Sequence, residues 1–489
     1  MKMNHSKHAV RPLRSTPAKV AVASRQKSNI HLFTVFAVGT LMLLMSWSFA
    51  RATEVQRVVS DKGIVAWLVE DHTVPIITMD FSFSGGTAQD PEGREGAVTM
   101  LTSLLDEGAA DMDSAAFQTA LEDNAIKLSF EATKDRFYGS LLTLSPNRDL
   151  ALDLLAKAVQ SPRFDAAPVE RMRAIWLGSV KRKERDPNTI LSKSFRQAAF
   201  PDHAYSREAD GSVETLSSVT ADDIKSVYGK IFSRDDLIIG VVGAIDAESL
   251  KPLLDKVFAP LPESGDLKPI EDVELTKTGT INIPFAAPQT SIRFAAPGID
   301  RHDKDFYAAY LVNHILGGGS FSSRLYEEIR EKRGLAYGVY SHLATYDHVN
   351  LFVGGMQTRT ENTEQALLLV KQEIARMGKE GPTAEELEAA KKYLIGSYPL
   401  RFDSSSKISR QLVALQETDL GIDYFDNRNS YIEAVTLEDA KRVAKRILDP
   451  SKLFLVTVGE EMKHAEAPAA APANDNRVAV AGAVKVAGQ

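Results

Sequence analysis

The sequence predicts an α+β fold made of two homologous halves, each with a mainly antiparallel sheet that has helices packed on one face. The first observation is an internal repeat that closes each half. The second is that strand patterns and long helix patterns are mixed within both halves, as they are in α+β proteins. The third is the length of the body between the termini, roughly 400 residues, which is long for one hydrophobic core.

The composition excludes several classes of function. The 489 residues include 58 Lys and Arg against 65 Asp and Glu, a formal charge of −7. The surplus of positive charge that nucleic-acid binding requires is therefore missing. The chain has no cysteine, which excludes disulfides, thiolate zinc sites, iron–sulfur clusters and a cysteine nucleophile. A metal ion would need His and carboxylate ligands.

Residues 1–52 are predicted to be an export segment. Residues 1–29 contain seven Lys and Arg and no acid, and residues 32–49 form an uncharged apolar run. The triplet Ala50-Arg51-Ala52 has the small-x-small pattern that favours cleavage after Ala52 by a signal peptidase. The alternative is an uncleaved anchor, because 18 apolar residues nearly span a bilayer. Both interpretations place the body in the periplasm, either free or anchored to the inner membrane by residues 32–49.

The body is divided into a first half at 53–262, a linker at 263–280 and a second half at 281–462. The linker contains proline, glycine and charge without periodicity. The predicted strands are Ile76–Phe83, Lys127–Glu131 and Phe137–Leu144 in the first half, and Ile292–Ala295, Ala336–Leu343 and Leu351–Gly354 in the second. Residues 463–489, rich in Ala and Pro, have few large apolar side chains and are predicted to be a flexible tail.

The internal repeat lies at the end of each half. Residues 219–243 read VTADDIKSVYGKIFSRDDLIIGVVG, and 216 residues later the chain reads VTLEDAKRVAKRILDPSKLFLVTVG, with 9 of 25 positions identical. Each copy begins with a Thr followed three residues later by an Asp, Thr220 with Asp223 and Thr436 with Asp439, as in a helix capping box. Each copy therefore predicts a helix, a polar turn and an apolar strand.

Further motifs suggest a family. They are Gly85-Gly86 closing a strand, Gly96 opening a helix, Asp186-Pro187 after a long helix, and GGGSFSSRLYEEIREKRGLAYGVYSHL from Gly317 to Leu343. Together they resemble the insulinase/pitrilysin superfamily of zinc peptidases, in its bacterial branch that is similar to mitochondrial processing peptidases. The resemblance covers nearly all of Val55 to Met462 and implies that the two halves form a clamshell.

The sequence departs from this family at the zinc motif. Family members that cleave peptides carry H-x-x-E-H on a first-half helix and a further Glu ligand later in the chain. The matching positions in this sequence are Thr99, Thr102 and Ser103 for the motif, and Gly178 or Ser179 for the distal ligand. Hydroxyl groups are poor zinc ligands, so we expect no metal in this chain. The local pattern predicts an amphipathic helix reaching Asp106, with its polar face towards water.

A second-half pair of the family is retained. In family members an Arg and a Tyr seven residues later reach towards the zinc site, and Arg330 and Tyr337 fall on those positions. The resemblance therefore implies that both side chains are catalytic. The alternative is that residues 330–333 are a solvated run of charges and that Tyr337 is ordinary sheet packing.

The sequence around this pair predicts its local structure. Leu325 and Ile329 are expected to bury one stripe of a helix, and Gly334 is expected to end it. The following strand is expected to place Tyr337, Val339 and Ser341 on one face.

The glycines Gly317, Gly318 and Gly319 have two interpretations. The resemblance implies a mobile loop that handles substrate near the chamber, and the alternative is a simple loop that leads into the next helix. A phosphate-binding loop is excluded because the G-K-[ST] ending is absent.

The resemblance implies a division of labour. The chain is expected to be a zinc-less subunit, inactive alone, that forms a heterodimer with a homologue carrying H-x-x-E-H. That partner would hold Zn²⁺, the general base and the water, and Arg330 and Tyr337 would complete its site for hydrolysis of extended peptides. The alternative is a non-catalytic peptide-binding or scaffolding protein of the cell envelope. An exported H-x-x-E-H homologue encoded by a neighbouring gene would favour the first interpretation.

Overall fold

The computed structural model describes residues 54–460. The sequence predictions for the export segment at 1–52 and for the tail at 463–489 lie outside this range. Within it, no helix is both long and apolar enough to cross a membrane.

The first half contains a six-stranded sheet. Its strands are β1 (Val55–Val59), β2 (Val65–Glu70), β3 (Ile76–Ser84), β4 (Lys127–Ala132), β5 (Arg136–Leu144) and β6 (Ile238–Gly243). Their order across the sheet is β1-β2-β6-β3-β5-β4, and all neighbours are antiparallel except β2 and β6. One face of the sheet buries a core with many phenylalanines, in which the rings of Phe81 and Phe258 meet edge to face at 5.3 Å.

Eight helices surround this sheet and the connection to the second half. They are α1 (Ala97–Thr102), α2 (Ser114–Asp123), α3 (Arg148–Gln160), α4 (Ala166–Lys183), α5 (Pro187–Ala199), α6 (Val213–Ser218), α7 (Ala221–Ile231) and α8 (Ala247–Phe258). Most of them contribute to the first core, whereas Leu191 and Phe195 of α5 belong to a different cluster.

The second half contains a five-stranded sheet. Its strands are β7 (Gly279–Pro284), β8 (Gln289–Pro297), β9 (Ala336–Thr345), β10 (Asn350–Arg359) and β11 (Phe454–Gly459). Its helices are α9 (Phe306–Asn313), α10 (Arg324–Tyr326), α11 (Thr363–Glu380), α12 (Ala384–Gly396), α13 (Ser405–Glu417), α14 (Tyr424–Glu433) and α15 (Leu437–Ile447). π-Helical turns at His314–Gly318 and Glu327–Glu331 continue α9 and α10.

The two sheets share one topology. The order β7-β11-β8-β10-β9 repeats the order of the first sheet from β2 onwards, with the parallel pair at the same place. The predicted repeat is confirmed, because α7 and β6 recur as α15 and β11 with every boundary 216 residues later. Thr220 and Thr436 form the predicted capping boxes with Asp223 and Asp439. The α+β fold with two homologous halves is confirmed, and the division at residues 263–280 stays a prediction.

Each sheet is also covered by a helix of the other half. Helix α5 packs on β8 and β11, where the ring of Phe195 stacks on that of Phe454 at 5.4 Å. Helix α13 packs on β3 and β6, where Leu412 and Leu415 join a cluster with Trp67 and Val242. The halves thus exchange one helix each, and neither completes its apolar burial alone.

The contact between α13 and the first sheet depends on a glycine. A β-carbon added at Gly240 would lie 2.5 Å from the carbonyl oxygen of Ser409 and 2.9 Å from the β-carbon of Leu412. Both atoms belong to α13, so any side chain at Gly240 would push the helix away from the sheet.

We expect Gly240→Ala to lower the free energy of unfolding by roughly 1–3 kcal/mol, because overpacking forces the helix and the sheet apart. The measurement is urea unfolding of the purified chain. Gly229→Ala is the matched control, since Gly229 lies exposed in α7 and its added methyl group meets nothing within 4 Å. The control should raise stability by roughly 0.5–1 kcal/mol, and equal effects of the two variants would contradict the close contact.

Candidate functional site

Arg330 and Tyr337 line the same cavity on the second sheet, which has a volume of about 550 Å³. Its floor is formed by β8, β9 and β10, and one wall is formed by α5 of the first half. The lining also includes the side chains of Asn188, Arg293, Phe321, Tyr326, Tyr340 and Gln357. The two side chains that the sequence singled out are therefore brought together.

The segment before Tyr337 has the predicted local structure. Leu325 of α10 and Ile329 of the π-helical turn after it are fully buried, and they hold this helical segment against the core. Gly334 has φ +60° and its N–H donates to the carbonyl of Arg330 at 2.9 Å, which ends the helical turn. Arg330 is thus fixed at the end of a buried helical turn, directly before β9.

The predicted alternation of β9 is wrong at Tyr337, and the cause is a β-bulge. Val339 pairs with Met356 and Ala336 with Thr358, so two residues of β9 lie opposite the single residue between them on β10. This extra residue shifts the pleat. Ala336 and Val339 are buried, whereas the side chain of Tyr337 is 92% exposed. Tyr337 is therefore directed to the cavity and does not pack on the sheet.

The charges near the cavity fall into two groups. The guanidinium of Arg330 contacts the carboxylate of Glu331 and lies 5.3 Å from the centroid of the Tyr326 ring. The hydrogen bond to Glu331 raises the pKa of Arg330 above its usual value, so the group stays charged. Lys332 and Arg333 instead bind the side chain of Glu328 at 2.6 Å each. Only Arg330 of this charge run lines the cavity.

Polar residues from distant segments complete the wall. The side-chain amide of Gln357 donates to that of Asn188 at 3.0 Å, which ties β10 to α5. The guanidinium of Arg293 lies 5.6 Å from the centroid of the Phe195 ring. No carboxylate lines the cavity, so it favours carbonyl oxygens and anionic groups. Asn188, Arg293 and Gln357 were not predicted from the sequence as site residues. The nearest motif noted in the sequence is Asp186-Pro187, which directly precedes Asn188.

Two of the three glycines lie in a helical turn, and Gly319 begins the short connection to α10. Gly317 and Gly318 belong to the π-helical turn that continues α9. A β-carbon at Gly317 would lie 2.9 Å from the backbone nitrogen of Ser341, and one at Gly319 would lie 2.8 Å from the carbonyl oxygen of His314. The glycines allow this turn to pack closely on β9 and on itself, and none of the three lines the cavity.

The positions of the zinc motif are satisfied by internal hydrogen bonds. Thr99 is buried and its hydroxyl donates to the carbonyl of Ala209 at 2.7 Å. The hydroxyl of Thr102 donates to the carbonyl of Thr99 at 2.7 Å, and the indole of Trp176 donates to the hydroxyl of Ser103 at 3.1 Å. The prediction of a longer helix with a wet polar face is wrong, because α1 ends at Thr102 and its hydroxyl groups bind protein atoms.

The start of this short helix is set by a buried carboxylate. Asp90 accepts hydrogen bonds from the backbone N–H of Gly96 at 2.9 Å and of Val98 at 2.8 Å. Burial raises the pKa of Asp90 to about 7, against the lowering effect of these two bonds. The carboxylate therefore serves the helix end and is not available to a metal ion.

The residues present do not fit a zinc ion. The distal position falls at Gly178 or Ser179 within α4, where neither residue offers an imidazole or a carboxylate. Across residues 54–460, no group of three His, Asp or Glu side chains is arranged to hold a metal. Residues 54–460 therefore offer no set of ligands for a catalytic zinc ion.

Comparisons with known proteins identify the family. Residues 218–394 match the family model described as the inactive domain of peptidase M16. The crystal structure of a peptidase M16 inactive domain from Pseudomonas fluorescens superimposes with a TM-score of 0.77 and 30% identity, over 83% of this chain and 98% of that one. The chain belongs to the M16 peptidase family. The resemblance to insulinase-type zinc peptidases is confirmed.

Two M16 relatives bear different descriptions. The non-peptidase homolog YmxG of Helicobacter pylori is 27% identical over 340 residues, which cover 69% of this chain and 78% of that protein. An uncharacterized zinc protease of Streptomyces coelicolor is 25% identical over 374 residues, covering 74% and 80%. The chain is thus an M16-like homologue of zinc proteases, and residues 218–394 match the inactive-domain model.

We expect the purified chain to hold no stoichiometric zinc and to cleave no peptide by itself, because hydroxyl groups occupy the ligand positions. The measurement is elemental analysis after dialysis, combined with an assay on an unstructured peptide. About one tightly bound zinc ion per chain would contradict the prediction.

Proposed function

We propose that this M16 protein is the zinc-less subunit of an exported heterodimeric peptidase. Its partner would be a homologue with an intact H-x-x-E-H motif, which would hold the zinc ion and the general base. Arg330 and Tyr337 would complete the partner's site. The proposed location is the periplasm, in agreement with the basic and apolar pattern of residues 1–52.

The observation that carries the proposal is the placement of the pair. Arg330 lies at the end of a buried helical turn, and a bulge exposes the neighbouring Tyr337 over the same cavity. A tyrosine with a purely structural role would be expected to pack its ring against the sheet. Bulges frequently redirect side chains next to active sites, and this one gives Tyr337 access to a ligand.

The chemistry suits peptide hydrolysis. When water attacks a peptide carbonyl, negative charge develops on the carbonyl oxygen. A guanidinium and a phenol held in place as donors stabilise that charge more in the transition state than in the ground state. Strand β9 lies at the edge of its sheet among residues 54–460, so an extended peptide could align beside Tyr337 by strand addition.

The surface around the cavity suits a protein partner. Phe321 is 77% exposed and its ring packs edge to face on Tyr326 at 5.0 Å, while Tyr340 is half exposed nearby on β9. Large aromatic side chains exposed together are typical of binding surfaces. A composite site requires this surface to face the first half of another chain.

The assembly itself is testable. We expect the chain and an H-x-x-E-H homologue encoded by the neighbouring gene to form a stable heterodimer, with an interface of roughly 1,200–2,000 Å² or larger. The measurement is analytical ultracentrifugation of the mixture at micromolar concentration. Two species that both sediment as monomers would count against the composite site.

In the reconstituted pair, Arg330→Ala and Tyr337→Phe should each lower kcat by about 10- to 1,000-fold, because the lost hydrogen bond belongs mainly to the transition state. Assembly and the zinc content of the partner should not change. The assay uses a quenched fluorescent peptide that is unstructured in solution, and a folded protein should resist cleavage.

Lys332→Ala is the matched control for the charge run. Lys332 binds Glu327 and Glu328 and does not line the cavity, so its loss should change kcat little. If Arg330→Ala and Lys332→Ala behave alike at full complex formation, the pair is structural. The alternative function, a non-catalytic peptide-binding or scaffolding protein of the cell envelope, would then be the better account.

A further inference from the structure

A second cavity of about 260 Å³ lies within the second half, where α9, α13 and α14 meet. It shares no lining residue with the cavity of Arg330 and Tyr337. Its wall contains three arginines and four tyrosines, together with Phe306. They are Arg301, Arg401, Arg428, Tyr307, Tyr310, Tyr398 and Tyr424.

The arginines of this cavity have no carboxylate partners. No Asp or Glu lines the cavity, and across residues 54–460 none lies within ion-pair distance of Arg301, Arg401 or Arg428. Elsewhere in the same half, the buried Arg324 binds Glu386 at 2.6 Å and the buried Asp305 binds Arg442 at 2.7 Å. The cavity therefore concentrates positive charge that the protein itself does not neutralise.

The guanidinium of Arg428 is a positive charge that is buried at a cost in free energy. It is only 4% exposed, and its guanidinium donates at 3.2 Å to the carbonyl of Leu394 and to the side chain of Asn429. Its guanidinium carbon lies 3.9 Å from the centroid of the Tyr398 ring. These neutral partners compensate a buried cation only partly, so a negatively charged ligand would stabilise it.

The tyrosines add neutral donors to the same wall. The hydroxyl of Tyr398 is buried and has no hydrogen-bond partner in the structure, which is rare for a buried hydroxyl group. Arg301 donates to the hydroxyl of Tyr424 at 3.1 Å and to that of Tyr307 at 3.4 Å. Burial raises the pKa of Tyr398 and of Tyr424, and a hydrogen bond to Tyr307 helps to raise the pKa of Tyr424, so both remain protonated.

We infer that this cavity binds a small oxyanion with two negative charges, such as phosphate or a short dicarboxylate. Guanidinium groups match both ligands with paired hydrogen bonds. A cationic ligand is excluded by the three arginines, and a neutral apolar ligand would leave them without compensation. The volume holds one such anion with a few water molecules.

The cavity lies next to the contact between α13 and the first sheet. Leu415 of α13 lines the cavity and belongs to the cluster that joins α13 to Trp67 and Val242 of the first sheet. A bound anion would therefore stabilise the helix through which the second half covers the first. Ligand binding to the folded state alone raises stability with ligand concentration.

The test is calorimetric titration of the purified chain with sodium phosphate and, separately, sodium succinate, at constant ionic strength set by chloride. We expect at least one of them to bind with a Kd of about 1 mM or lower and to raise the melting temperature. Binding of phosphate alone would indicate a tetrahedral ligand, and binding of succinate alone a dicarboxylate. If neither binds at about 10 mM, the inference is wrong.

Three variants separate the site from general attraction of anions. Arg401 is exposed and makes no ion pair, so Arg401→Ala should fold normally and weaken binding about tenfold. Arg428→Lys keeps the charge but loses the paired donors, and should weaken binding similarly. Arg359→Ala removes an exposed arginine outside the cavity and should leave Kd unchanged. Equal losses in Arg401→Ala and Arg359→Ala would overturn the inference.

Discussion

Helix α5 of the first half lies on the second sheet, and helix α13 of the second half lies on the first. This exchange joins the halves through buried apolar contacts, with Phe195 on Phe454 on one side and Leu415 beside Trp67 on the other. Both candidate sites depend on it. Asn188 of α5 forms a wall of the Arg330 cavity, and Leu415 of α13 forms a wall of the arginine-rich cavity.

The duplication has copied the position of a cavity but not its chemistry. Under α13, on the first sheet, lies a cavity of about 440 Å³ that corresponds in position to the one under α5. It is lined by Asp80, Glu131 and Glu417 together with Arg410, and burial raises the pKa of Asp80. The equivalent surface of the second half carries Arg330 and Tyr337 instead. The cavity on the first sheet thus contains carboxylates, whereas no carboxylate lines the cavity on the second.

Local patterns predicted much of the fold because its repeated elements are encoded locally. The capping boxes at Thr220 and Thr436 and the apolar strands after them needed only neighbouring residues. The position of Tyr337 was not predictable in this way, because the bulge shifts the alternation of β9 by one residue between Ala336 and Val339. The hydroxyl groups of Thr99 and Ser103 bind the distant Ala209 and Trp176, so the local pattern could not show that they face protein atoms. The arginine-rich cavity draws Arg301, Arg401 and Arg428 from separate segments, so no sequence window contains it.

The exchanged helices also impose an order on synthesis. The first half is complete in the chain at about residue 260, but the apolar surface formed by Trp67, Val69 and Val242 is covered by residues of the second half, among them Leu412, Leu415 and Tyr424. A ribosome must add well over a hundred residues before that surface is buried. Until then this apolar sheet face stays exposed, and exposed apolar surface makes a partly folded chain prone to aggregate. Contacts between residues so far apart in sequence also favour slow folding.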